Sequence, residues 1–276
     1  MGLFSWLYND EKVEEESFIK KQKDFSNFKK VTEFIYEKSG ITELDKRALT
    51  SSRLQQYAVN QDIYTTDEFF DKMKNDYVFY QEIINIATVN ETFFLREIKE
   101  LEWLAEYILK ENRPLKILSI PSSTGEEIYS ILLMLSDKGV DINEIDITGF
   151  DISSEAVSHA KEGRYDEHSL HKVEVKLREK YFTNIDKDFY LISSTFKNKA
   201  NFYQQNIFEL SGKKNEYDII LSRNMFIYFD DKKRREALDI IVDLLKNDGI
   251  YIKGHADHIY KHPKLKTICY GVYSKN

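Results

Sequence analysis

Between Leu115 and Leu135 the chain reads LKILSIPSSTGEEIYSILLML, and its middle, Pro121-Ser122-Ser123-Thr124-Gly125, carries no bulky side chain. A loop of small residues lets a ligand approach the backbone, and the carboxyl end of a strand is where open α/β sheets bind their ligands. One Gly does not make G-x-G-x-x-G, so the loop by itself points to no particular cofactor. Roughly 25–30 residues further on, Asp151 closes a second apolar run; an acid at such a tip suits a ligand with a ribose diol, since one carboxylate accepts both hydroxyl hydrogens. The plain reading of the same Asp is a helix N-cap. Glu127, three residues after Thr124, could likewise do no more than close a capping box. Arg223-Asn224 follow a buried apolar run, and Asn90, Thr92 and Arg96 stand where one helical stretch gives way to the next; taken alone, the latter are a helix start with a basic residue.

The elements around these residues follow from hydrophobic periodicity. Leu115–Ile120 reads as a buried parallel strand, and Ile128, Ile131, Leu132 and Leu135 form one face of a helix. Asp146–Phe150 predicts a second strand, with Ser153-Ser154 opening a helix that Gly163 ends. Residues 164–200 break the alternation and predict an insertion of short antiparallel strands, within which Lys172–Phe182 is charged and aromatic. A strand is then expected over Asn201–Ile207 and another over Tyr217–Ser222. After them come a long helix capped by Asp230 or Asp231, a turn at Asn247-Asp248-Gly249, and a strand over Ile250–Lys253. The tail Lys266–Tyr273 can supply a last, antiparallel strand. Residues 17–111 read as helical throughout: Phe25–Ile35 with Gly40 as C-cap, Thr42 towards Tyr57 with Asp45 completing a variant capping box, then Thr66, Tyr77–Ala87 and Glu97–Lys110, which Pro114 stops. The expected organisation is an N-terminal extension (1–16), a helical domain (17–88) and an α/β domain (89–276) with a small β insertion at about 170–200.

With 276 residues, of which 42% are hydrophobic, the chain can bury a substantial core. No apolar run approaches the ~18–20 residues that a membrane span needs. The start, MGLFSWLYNDEKVEEE, lacks the basic region of a secretory signal, and its Phe4, Trp6, Leu7 and Tyr8 could dock on the body or on a partner. A single cysteine, Cys269, leaves no intramolecular disulfide and no multi-cysteine metal site, and a cytoplasmic monomer is expected. The net charge of -7 argues against nucleic acid, yet Ser17–Asn60 holds nine basic residues against five acidic ones, a net +4. Such a region suits an acidic partner, while a solvated helix face is its ordinary explanation.

Five blocks, in order, resemble the chemotaxis receptor methyltransferase family (the CheR type). They are Asn90-Glu91-Thr92-Phe93-Phe94-Leu95-Arg96, Ser122-Ser123-Thr124-Gly125-Glu126-Glu127-Ile128-Tyr129-Ser130, Gly149-Phe150-Asp151-Ile152-Ser153, Ser222-Arg223-Asn224-Met225-Phe226-Ile227-Tyr228-Phe229 and Lys253-Gly254-His255-Ala256-Asp257. Ile41 and Lys46–Leu54 are similar to a helix of the family's N-terminal region, so the resemblance runs from about Phe25 to the C-terminus. Ile128 stands where the family has Pro, Leu95 where it has a second Phe, and Pro121 where a small residue is common; none removes a polar group facing the cofactor.

The resemblance implies a class I S-adenosylmethionine-dependent methyltransferase fold, a Rossmann-like, mostly parallel sheet with an antiparallel last strand. It also implies transfer of a methyl group to glutamate side chains on the cytoplasmic helices of chemoreceptors, with S-adenosyl-L-homocysteine as product. In that pattern Asn90, Thr92 and Arg96 line the methionine end of the cofactor, Arg96 pairing with its carboxylate or orienting the substrate. Glu127 accepts from the amino group, Asp151 holds the ribose, and Asn206 and Ile207 flank the adenine. Arg223 and Asn224 supply the remaining cofactor contacts. Tyr228, otherwise read as a core tyrosine, lies near the methyl, and His255 is structural. Lys46, Arg47 and Arg53 are expected to meet the acidic receptor helices. An ionised glutamate is already a nucleophile, so neither a metal nor a catalytic Cys or His is expected. Two rivals are a related methyltransferase acting on a small molecule or RNA, and a non-catalytic module that binds S-adenosylmethionine as scaffold or sensor.

Overall fold

The structure is a computed structural model that describes residues 23–42, 48–111 and 113–276. The expectations for residues 1–16, for the Thr42–Asp45 cap, and for Lys46 and Arg47 therefore lie outside the described residues in whole or in part.

Leu115–Ser119 (β1) is an interior strand of a seven-stranded sheet, and its sequence alternates between two buried faces. Leu115 and Ile117 enter one apolar core, while Leu118 and Ile120 enter the other. Both faces are covered, as a parallel sheet requires. Ile145–Asp151 (β2) pairs with β1 in parallel on one side, and Tyr217–Ser222 (β7) does so on the other. Strand order therefore reverses direction at β1, and the carboxyl ends of β1, β2 and β7 frame a crevice at that switch point. The remaining parallel strands are Ala200–Gln204 (β6), outside β2, and Leu245–Lys253 (β8), outside β7. Helices Ile98–Glu111 (α5), Glu126–Asp137 (α6) and Ser154–Glu162 (α7) feed the first core, and Asp231–Leu244 (α10) the second.

Lys29–Ser39 (α1), Ala48–Asn60 (α2), Thr66–Asn75 (α3) and Tyr77–Ala87 (α4) share a third core around Ile35, Leu54, Phe69 and Ile83. Gly40 ends α1 at φ 74°, with Phe208 and Phe229 where a side chain would stand. Thr65, one residue before the expected start, caps α3 with Glu68 in a reciprocal box.

Four readings need correction. The strand after the insertion stops at Gln204, so Asn206 and Ile207 are not on it; Asn206 instead caps the 3-10 turn Ile207–Leu210 through its Oδ1 to Phe208 N, 3.1 Å. Within the insertion, Arg164–Asp166 (β3), Phe182–Asn184 (β4) and Phe189–Ile192 (β5) form the expected small antiparallel sheet, but Val175–Tyr181 (α8) and Ser194–Lys199 (α9) are helices. The tail is two strands, Leu265–Cys269 (β9) and Val272–Lys275 (β10), turned at Gly271; β10 pairs antiparallel with β8. The turn at Asn247-Asp248-Gly249 is an irregularity inside β8, with Asp248 at φ 60°.

Candidate active site

Backbone geometry brings the loop after β1 against the tip of β2. Ser123 and Gly125 take positive φ, 47° and 94°, and the Ser123 N–H points to Asp151 Oδ2 at 2.8 Å. Asp151 Oδ1 accepts from the Ser153 N–H at 2.9 Å. The helix is capped by Ser153, whose hydroxyl accepts from Ala156 N, so capping is not the task of Asp151. Burial pushes the Asp151 carboxyl up from an ordinary 3.8 to about 6, against the pull of its backbone donors. Gly149 is required beside it: a Cβ there would meet Ile128, Phe202 and Ser122, each at 2.7 Å.

Glu127 does not close a capping box. Gly125 is the N-cap without a side-chain bond, and Thr124 donates to Glu126 Oε2 at 2.6 Å. Glu127 instead accepts from Ser119 Oγ at 2.9 Å and from Arg223 Nη1 at 2.7 Å, joining the ends of β1 and β7. Arg223 is buried; its Nη2 donates to the carbonyls of Arg96 and Glu97 and approaches Glu97 Oε2 at 3.4 Å. Asn224 follows in the left-handed region, φ 61°, with its N–H on Asp257 Oδ2 at 2.6 Å and its Nδ2 on Glu97 Oε1 at 3.3 Å. Asp257 also accepts from Phe226 N at 2.8 Å and Gly254 N at 3.2 Å, and burial raises its carboxyl to about 6. For Glu97, burial pushes the carboxyl up, but Arg223, the His255 N–H and Asn224 outweigh it and hold it below its ordinary range.

The segment before α5 supplies another wall. The Asn90 carbonyl accepts from Ser123 Oγ at 3.3 Å, and its Nδ2 reaches Ser153 Oγ at 3.5 Å. Arg96 donates to Glu91 O at 2.8 Å and lies over the Phe93 ring. Tyr228, on the 3-10 turn Phe226–Tyr228, donates to Val89 O at 3.3 Å, while its own carbonyl accepts from Thr42 N and Oγ1. Asn206 Nδ2 donates to Lys38 O at 2.7 Å, which ties α1 to the far rim.

These walls enclose a cavity of about 230 Å³, and Asn90, Thr92, Arg96, Glu127, Asp151, Asn206, Ile207, Arg223, Asn224 and Tyr228 all line it. Every site residue expected at the cofactor is thus brought to one place. Arg53 is exposed on α2 and is not in that lining. Sequence reasoning missed the two acids that hold the Arg-Asn pair, Glu97 and Asp257, although each adjoins or ends a quoted block. Their only signal in the sequence was a carboxylate standing next to a quoted motif.

A doubly covered, mostly parallel sheet with an antiparallel end and a ligand crevice at the β1/β7 switch is the class I methyltransferase architecture. Residues 90–273 match the family described as CheR methyltransferase, SAM binding domain. A chemotaxis protein methyltransferase of Campylobacter jejuni is 31% identical over 235 residues, 85% of this chain and 89% of the relative. Chemotaxis protein methyltransferase 2 of Vibrio cholerae is 31% identical over 251 residues, 85% of each chain. The chemotaxis protein methyltransferase of Escherichia coli is 27% identical over 244 residues, 84% of each. The chain belongs to the CheR methyltransferase family, and its cofactor is S-adenosylmethionine.

Proposed function

We propose that this methyltransferase esterifies glutamate side chains on the cytoplasmic helices of chemoreceptors. The observation that carries the reading is the convergence of the expected cofactor-contacting residues, drawn from separate stretches of sequence, on one cavity. The lining also fits the donor chemically. Ser122 Oγ and Arg223 Nε are buried without a hydrogen-bond partner among the described residues, so the walls hold polar capacity that the fold does not use. When bound, S-adenosylmethionine supplies a methyl on a sulfonium, an electrophile that needs no activation by the protein.

The residues then divide by position. Asp151 accepts the ribose hydroxyls, and Ile207 packs on the adenine. The Asn206 amide nitrogen has given one hydrogen to Lys38 O and has a second for the ring. Glu127 accepts from the amino group while Arg223 holds it in place. Arg96, with Asn90 and Thr92, faces the methionine carboxylate or the incoming glutamate, and Asn224 completes that wall. Tyr228 orients the substrate carboxylate at the mouth. An ionised glutamate is a competent nucleophile at neutral pH, so the chain contributes chiefly alignment. Lys46, Arg47 and Arg53 meet the acidic receptor helices. We read the protein as acting in the cytoplasm as a monomer, without inserting into the membrane; among the described residues no helix is long and apolar enough to cross one.

The test is incubation with receptor-rich membranes and methyl-labelled S-adenosylmethionine, alongside calorimetry with S-adenosylhomocysteine. Base-labile label on the receptor is the expected result. Tight binding without transfer to receptor would point to a different substrate or to a non-catalytic cofactor-binding module, and absence of binding would remove the pocket assignment itself.

A further inference from the structure

Beside the cofactor pocket, and outside its lining, three side chains converge that methyl transfer does not use as ligands to anything. We propose that Glu97, Glu100 and His255 form a site for one first-row divalent cation of the zinc type, clamping the start of α5 to the loop after β8. One ligand-capable atom from each lies within 4.8 Å of the others. Glu97 directly precedes α5, its backbone in the left-handed region at φ 50°, and Glu100 sits in the first turn, and the two carboxylates come together there. His255 comes from the loop that follows β8. One imidazole with two carboxylates is a donor set suited to zinc(II) and its neighbours, and less so to calcium or magnesium, which take oxygen alone.

A second observation points to the ligand. Glu100 is 5% exposed, and its Oε2 is buried with no hydrogen-bond partner among the described residues, while Oε1 has His255 Nε2 at 2.6 Å. Buried carboxylate oxygens in native folds ordinarily have a partner. Among the described residues no nearby cation reaches Glu100 Oε2: Arg223 bonds Glu127 and approaches Glu97, and Lys253 Nζ donates to the carbonyls of Gly254 and Asp257. Arg223 thus serves Glu97 and Glu127, while Glu100 has only His255 beside it among the described residues. Glu97 Oε1 has a single donor, Asn224 Nδ2, so a lone pair is left for a metal. The His255 side chain is 45% exposed, which gives an ion a way in. Occupancy would stiffen the same loop whose Asp257 holds Asn224 and Phe226, so the ion supports the pocket wall without entering the reaction.

The experiment uses untagged full-length protein dialysed against chelator, titrated with cobalt(II) and read by visible absorption, and with zinc(II) by calorimetry and thermal melting. One equivalent, visible ligand-field bands and a raised Tm are expected, with affinity falling by at least about tenfold in both Glu100→Gln and His255→Ala. Circular dichroism checks each fold; His255 is exposed, so His255→Ala decides if the buried variant fails. No bands would overturn the site outright, and equal binding by His255→Ala would overturn it by assigning the ion to the His168–His171 pair or to exposed Cys269.

Discussion

Asp151 is a carboxylate held in the charged form at some expense. Its folded value of about 6 lies above the ordinary 3.8, so the sign is that of a raised acid: the stability it lends is fully present below 3.8 and is lost as pH rises through about 6. Ribose recognition has the opposite pH dependence, since only the ionised form accepts both hydroxyls. Affinity for S-adenosylhomocysteine should therefore weaken as pH falls through 6, by about tenfold for each further unit, in calorimetry across that range. Asp151→Asn should flatten this profile and bind at least about tenfold more weakly, with little change in Tm, because relief of the buried charge is offset by a lost backbone bond. The residues of the cavity were legible because short motifs name their own chemistry. What holds them was not. Asp257 works by accepting three backbone N–H groups, an arrangement that exists only after the chain has folded, and Glu97 reads in sequence as one more helix-start acid.

The unit of β1, small loop and α6 was legible at the level of elements because an apolar run and a 3.6-residue period need no distant partner to declare themselves. The turn after β6 was not. Asn206 leaves the strand to cap a 3-10 turn, and its other end is held by a carbonyl of α1, 168 residues away in sequence. The helix Val175–Tyr181 was hidden by its charge, and the closing hairpin by a sequence too short to separate one strand from two. Gly149 tests the packing of the unit directly. Gly149→Ala would drive a methyl into Ile128, Phe202 and Ser122, and should cost about 1–3 kcal/mol in urea unfolding. Because Ser122 belongs to the cofactor loop, the same variant should also bind S-adenosylhomocysteine less tightly. An unchanged midpoint and affinity would mean that β2 and α6 pack more loosely than these distances say.

Across the whole molecule, charge sets what can approach. The chain is net negative, so in the proposed reading the cationic stretch of residues 17–60 would steer an acidic helix towards the pocket. Arg53→Glu combined with reversal of Lys46 should lower receptor methylation several-fold, and the loss should shrink as salt rises. Affinity for S-adenosylhomocysteine should stay at the parental value; unchanged methylation at low salt would sink the steering role. The helical region does more than carry that charge. Its Lys38 carbonyl and Gly40 abut Asn206, Phe208 and Phe229, so α1 walls the cavity rim opposite the β1 loop. If docking on these helices changes the affinity for a nucleoside behind them, thermodynamic reciprocity requires that the nucleoside change the affinity of docking by the same factor. Retention of spent product would then differ between a free enzyme and one engaged with an acidic helix, if these helices are where that helix docks.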